Sequence, residues 1–131
     1  MNIAQLPADI TPVEVVDALV ELYGQDLRYS IGAQKWLVFD ETTGWTWDHQ
    51  GARVQEVVIA TLRHLEQDIP DDLDVTKRRR FSKMRRGRAR QMMSAGGLNG
   101  VISLAAKRVA FTCLVIVYHF CNDFLFFGIS V

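Results

Sequence analysis

The stretch LRYSIGAQKWLVFDETTGWTWD, residues 27–48, decides the fold, and it holds all three tryptophans of the chain, Trp36, Trp45 and Trp47. Aromatic and β-branched residues cluster on either side of Gly32-Ala33 and of Glu41-Thr42-Thr43-Gly44. Turn-forming residues between such runs predict a small antiparallel meander. Period-two alternation puts Trp36 and Val38 on one face and Leu37 and Phe39 on the other, with Trp45 and Trp47 sharing a face. Three short strands are not stable alone, so one face must lie against a helix.

Helices are predicted on both sides. Before the meander, TPVEVVDALVELYG opens with Thr11 as a cap, Pro12 at the first helical position and Glu14 completing a Thr-x-x-Glu capping box. Val13, Val16, Val20 and Tyr23, widened by Leu19 and Leu22, form its apolar stripe, and Gly24 ends it. After the meander, GARVQEVVIATLRHLEQDIP predicts a second helix buried through Val54, Val57, Val58, Thr61, Leu62 and Leu65, and stopped by Pro70. His64 borders that stripe, with no second ligand at metal spacing.

DVTKRRRFSKMRRGRARQMM predicts a third helix in which Phe81, Met84 and Met92 are the candidates for burial. SAGGLNGVISLAAKR then restarts the helical pattern, with Ser94 as a cap and Leu98, Val101, Ile102 and Ala105 as a stripe. The fold class expected is α+β, mostly helical: an N-terminal helix, a small antiparallel three-stranded sheet, then about three helices.

The formal net charge of zero conceals a division. Residues 1–76 carry 14 acidic against 4 basic side chains, and residues 77–131 carry 11 basic against one acidic. The basic half is dominated by nine cations in fourteen positions: Lys77, Arg78, Arg79, Arg80, Lys83, Arg85, Arg86, Arg88 and Arg90. Seven are arginine, whose planar fork pairs with phosphate bidentately and stacks on bases. Self-repulsion disfavours such a segment alone, so a polyanion is its natural complement. Six phosphate contacts would give a log–log salt slope of about −5 on duplex and about −4 on single strands. The competing reading pairs the run with the acidic half, at roughly 0–1 kcal/mol per exposed pair.

The tryptophans pose a similar choice. Trp36, Trp45 and Trp47 beside a basic helix are candidates for base stacking. Against this, a small sheet needs large side chains beneath it, and Asp40, Glu41 and Asp48 oppose phosphate approach. The expectation is core for at least two of the three.

No catalytic apparatus is visible. The chain lacks a G-x-x-x-x-G-K-[ST] loop, a G-x-G-x-x-G turn, an H-E-x-x-H helix and an acidic triad for two-metal chemistry. The glycines of SAGGLNG suggest a hinge rather than a phosphate nest, because no Lys-Ser/Thr pair follows. No cofactor and no metal is expected, since Cys113, His119 and Cys121 match no zinc spacing. Two cysteines make no disulfide framework and no secretory signal begins at Met1, which points to a cytoplasmic setting.

The order of these signals, LRYSIGAQKWLVFDETTGWTWD, a helix, a basic helix and then SAGGLNGVISLA, resembles the helicase-adjacent N-terminal-like region of phage and plasmid primases. The positions that carry it are Arg28, Tyr29, Lys35, Trp36, Phe39, Asp40, Gly44, Trp45, Ser94 and Ala105, within roughly residues 20–106. The resemblance implies a role in DNA replication in viruses, prophages and mobile elements, with primase and ATP-driven helicase centres elsewhere. After Ala106 the family pattern gives way and no Walker motif follows, so no enzyme activity is expected of this chain.

Two regions are therefore expected, a primase–helicase N-terminal-like domain over 1–106 and a hydrophobic tail over 107–131. Three readings of the tail stand: packed core, membrane anchor, or an out-of-frame end of a truncated replication protein. Asp123 opposes the anchor, so a membrane partner is disfavoured. The function expected is non-catalytic nucleic-acid binding or interdomain coupling in a replication protein. DNA is the nucleic acid implied, single- and double-stranded forms are both open, and a replication-protein partner is also implied. The alternatives are a protein-interaction module whose basic helix docks an acidic partner, and a small tail-anchored membrane protein.

Overall fold

The computed structural model describes residues 9–123, with side chains described through Val109. The readings of Met1 and of residues 124–131, and those resting on the side chains of Cys113, His119, Cys121 and Asp123, lie outside the described residues. The chain runs α1 (Pro12–Tyr23), a 3-10 turn (Gly24–Asp26), β1 (Leu27–Ser30), β2 (Lys35–Asp40), β3 (Gly44–Asp48), α2 (Ala52–Gln67), α3 (Val75–Met92) and α4 (Ala95–Asp123). The α+β class and the element order are as the sequence predicts.

The sheet is antiparallel in the order β1-β2-β3. Leu27 pairs with Val38, Tyr29 with Trp36, and Trp36 with Asp48, so these side chains share the inner face. Arg28 pairs with Leu37, Leu37 with Trp47, and Phe39 with Trp45, which puts them on the outer face. A loop over 41–43 joins β2 to β3 and is closed by Gly44 at φ 74°, a left-handed conformation natural to glycine.

The core lies between the inner face and the helices. Leu27, Trp36 and Val38 join Val15, Val16 and Leu19 of α1, Val54, Val58 and Leu62 of α2, Ala89 and Met92 of α3, and Leu98, Val101 and Ala105 of α4. α4 packs on β1 and α1, α2 packs on α1 and α3, and α3 also touches α4.

The predicted stripe of α1 is corrected at its margins. Val13 and Leu22 are exposed while Val15 is fully buried, because the buried arc centres on Val16 and Leu19 and leaves the other two on opposite flanks. On α2, Val57 is only half-buried and His64 is exposed. The capping box of α1 is half built: Thr11 Oγ1 accepts the Glu14 amide at 3.2 Å, but the Glu14 carboxylate turns to Arg85 of α3.

The expectation that at least two tryptophans are core is also corrected. Trp36 alone is buried; Trp45 is half-buried and Trp47 is 43% exposed. The register is the cause, since β3 presents both Trp45 and Trp47 to the outer face. None of the outer-face residues belongs to the core cluster.

Candidate nucleic-acid interface

α3 begins where Asp74 accepts the Lys77 amide at 2.8 Å, a side-chain cap that also places a carboxylate at the positive end of the helix. Its buried side is Phe81, Arg85, Ala89 and Met92. Met84, expected in the core, is 55% exposed, because it falls on the flank of that arc while Arg85 occupies its centre.

Arg85 is thereby corrected as a nucleic-acid contact. Its guanidinium donates to the Leu65 carbonyl at 3.1 Å and to Glu14 Oε1 at 3.1 Å, and lies 5.4 Å from the centre of the Phe81 ring. At 4% exposure it is closed to a polyanion. A buried charge of this kind demands a partner, and Glu14 and the α2 terminus supply it.

Four more of the nine cations meet carboxylates. Arg88 reaches Asp9 at 3.0 Å and the Ile10 carbonyl at 3.1 Å, Arg86 reaches Glu66 at 3.4 Å, Arg78 reaches Asp71 at 3.5 Å, and Lys77 reaches Asp74 at 3.7 Å. The reading that paired the run with the acidic half thus describes part of it. Arg79, Arg80, Lys83 and Arg90 are exposed and, among the described residues, have no carboxylate within ion-pair reach.

Helical spacing gathers these cations. At 3.6 residues per turn, Arg79, Lys83 and Arg90 fall within about 40° of one another, away from the buried side, and extend roughly 16 Å along the axis, with Arg80 on their flank and Arg86, which pairs with Glu66, beside them. The result is a continuous cationic ridge. Its inner anchors, Arg85 and Arg88, fix its orientation.

The stacking candidates separate. Trp36 meets Tyr29 edge-on at 5.3 Å on the inner face and is closed to a ligand. On the outer face Trp45 meets Phe39 edge-on at 5.5 Å, and the Arg28 guanidinium lies 5.2 Å from the Trp45 ring centre. Phe39, Arg28 and Lys35 therefore join Trp45 and Trp47 there, three residues that attention to the tryptophans alone passes over. The alternation of the strands was the signal for them.

The glycines of SAGGLNG are helical and are not a hinge between separate elements; only Met93 and Ser94 separate α3 from α4. Ser94 Oγ accepts the Gly97 amide at 3.2 Å. Among the described residues no group of histidine, cysteine and carboxylate side chains could hold a metal ion, and no helix is long and apolar enough to cross a membrane.

Comparison with known families adds one match, to the family described as D5 N terminal like, over residues 16–119. The chain belongs to this family. The D5 N-terminal-like domain is the N-terminal domain of phage and plasmid primase–helicases and is not itself their ATPase core, so the chain is a replication module associated with those enzymes. The match starts within α1, spans the sheet and the basic helix, and passes Ala106 to end inside α4. The predicted division between 106 and 107 falls within that continuous helix. No curated protein and no solved structure matches the chain.

Proposed function

We propose that this D5 N-terminal-like domain is a non-catalytic, cytoplasmic module that engages DNA through the outer ridge of α3 and so couples a primase–helicase to its template. The observation that carries the reading is the ridge itself: Arg79, Lys83 and Arg90 stand exposed on one side of a helix, without carboxylate partners, while Arg85 and Arg88 clamp the other side to the domain. Arginine and lysine in this arrangement suit phosphates, and release of condensed counterions would drive binding.

The test is a salt titration of binding to fluorescent single- and double-stranded oligonucleotides. Four phosphate contacts give a log–log slope of about −3.6 on duplex and about −2.8 on single strands. The variant R79A/K83A/R90A should bind far more weakly, with a slope closer to zero by about two to three units. A folded chain that binds neither form at low salt refutes the reading, and the ridge then belongs to an acidic protein partner.

A further inference from the structure

We infer that the outer face of the three-stranded sheet is a second surface, one that stacks unpaired bases of single-stranded nucleic acid. The inference rests on the nucleic-acid reading of the domain but uses none of the residues of α3. Three observations carry it.

The first is exposure. Trp47 is 43% exposed and Phe39 is 38% exposed, on a face whose aromatic rings lie outside the core cluster. Large aromatic side chains left open on a sheet offer π-faces to any base, and such stacking tolerates every sequence. Trp45 meets both the Phe39 ring, edge-on, and the Arg28 guanidinium, contacts that restrain it before a ligand arrives.

The second is the sorting of charge. In the sequence, Asp40 and Asp48 stand among the aromatic residues and oppose phosphate. The register sends both away from the outer face: Asp48 accepts the Arg53 and Val54 amides of α2 at 3.4 and 3.0 Å, and Asp40 pairs with Arg53 at 3.3 Å. The outward strand positions instead carry Arg28 and Lys35, and Lys35 is exposed.

The third is direction. Phe39 stands one residue from the end of β2, followed by Asp40 and the exposed Glu41 of the turn. Lys35 lies at the opposite end of the same strand. A sugar–phosphate backbone would therefore run past the Lys35 end, with its bases laid over Trp47 and Phe39. A duplex hides its base faces and gains nothing from such a platform.

The experiment uses the whole chain and a fluorescein-labelled oligothymidylate, with a duplex of equal length as control. The stacking variants are Trp47→Leu and Phe39→Leu, both at exposed positions, and Lys35→Glu tests the cation; circular dichroism checks each fold. Loss of a stacked base should weaken single-strand affinity about 5- to 150-fold. That loss should leave the salt slope and duplex affinity unchanged in the leucine variants, and K35E should weaken single strands too. Unchanged single-strand affinity in W47L and F39L overturns the inference and gives the face to a protein partner. The α3 variant then still reads the ridge separately. A wild-type chain that binds duplex as tightly as oligothymidylate sinks the platform alone, and one that binds neither sinks both.

Discussion

Arg85 of α3 and Glu14 in the first turn of α1, seventy-one residues apart in sequence, meet at 3.1 Å, with the arginine side chain 5% exposed and the glutamate 32%. One of the nine cations of the basic run is thus a structural member of the domain. Removing one partner of a fully buried pair costs roughly 3–5 kcal/mol. Because Glu14 is a third open to water, E14A should cost less, about 1–3 kcal/mol. R85M should be milder than R85A, since methionine keeps the packing against Phe81 and Glu14 can turn to solvent. Urea unfolding of the three variants checks the order.

Neighbouring cations should behave differently in binding. Arg78 is held by Asp71 and the Pro70 carbonyl, whereas Arg79 is on the open ridge. R79A should reduce the salt slope for oligonucleotides by about one unit, and R78A by clearly less. A parallel salt titration of the two single variants separates charge on the ridge from charge in general.

Asp48 is the cap of α2 from three residues upstream of its usual position. Gly51, at φ 70°, brings the chain into the helix without a capping side chain, and the buried Asp48 carboxylate takes the Arg53 and Val54 amides instead. D48A should lower stability by about 1–2 kcal/mol, near the upper end of the range for lost caps, and D48N by less. Thermal unfolding followed by circular dichroism measures both.

Gly97 and Gly100 should respond in opposite directions to the same change. A methyl group on Gly97 would sit 2.5 Å from the Met92 carbonyl oxygen, where α3 and α4 turn against one another. G97A is expected to cost about 1–3 kcal/mol through displaced backbone. At Gly100 nothing lies within 4 Å, so G100A should stabilise the helix by roughly 0.5–1 kcal/mol. Paired denaturant curves decide it.

Asp40 responds to acid. The Thr42 amide, 2.7 Å from its carboxylate, holds its pKa below the ordinary carboxylate value; desolvation opposes this, and the Thr43 amide, the Arg53 guanidinium and the Thr42 side chain reinforce it. A carboxylate depressed in the folded state adds stability that is complete above its unfolded pKa and is lost as pH falls through the folded one. The β2–β3 turn should loosen below about pH 4. The Thr42 amide proton shift should follow that titration, and D40N should remove it.

Much of the fold was legible because its signals are local. Pro12 and Gly24 bracket α1, the turn at residues 41–44 separates two strands, and Pro70 stops α2, each through its own backbone chemistry. The alternation of β2 correctly set Trp36 opposite Leu37 and Phe39. What it could not supply was the identity of the face beneath the helices, and that depends on packing by α2 and α4 from later in the chain. The fate of Arg85 was hidden for the same reason. Nothing around it distinguishes it from Arg86, and only the approach of Glu14 and Leu65 makes its place an interior one.

The ties of α1 also bear on the order in which the domain is made. Glu14 waits for Arg85, the Ile10 carbonyl for Arg88, and Asp17 for Arg108, at separations of 71, 78 and 91 residues. At about 5–20 residues per second, Arg108 emerges from a ribosome roughly 5–20 s after Asp17. The first of the described helices is therefore among the last to be fully tied down. Until both α2 and α4 have followed, its apolar side, Val15, Val16 and Leu19, stays partly open to whatever chaperone stands at the exit.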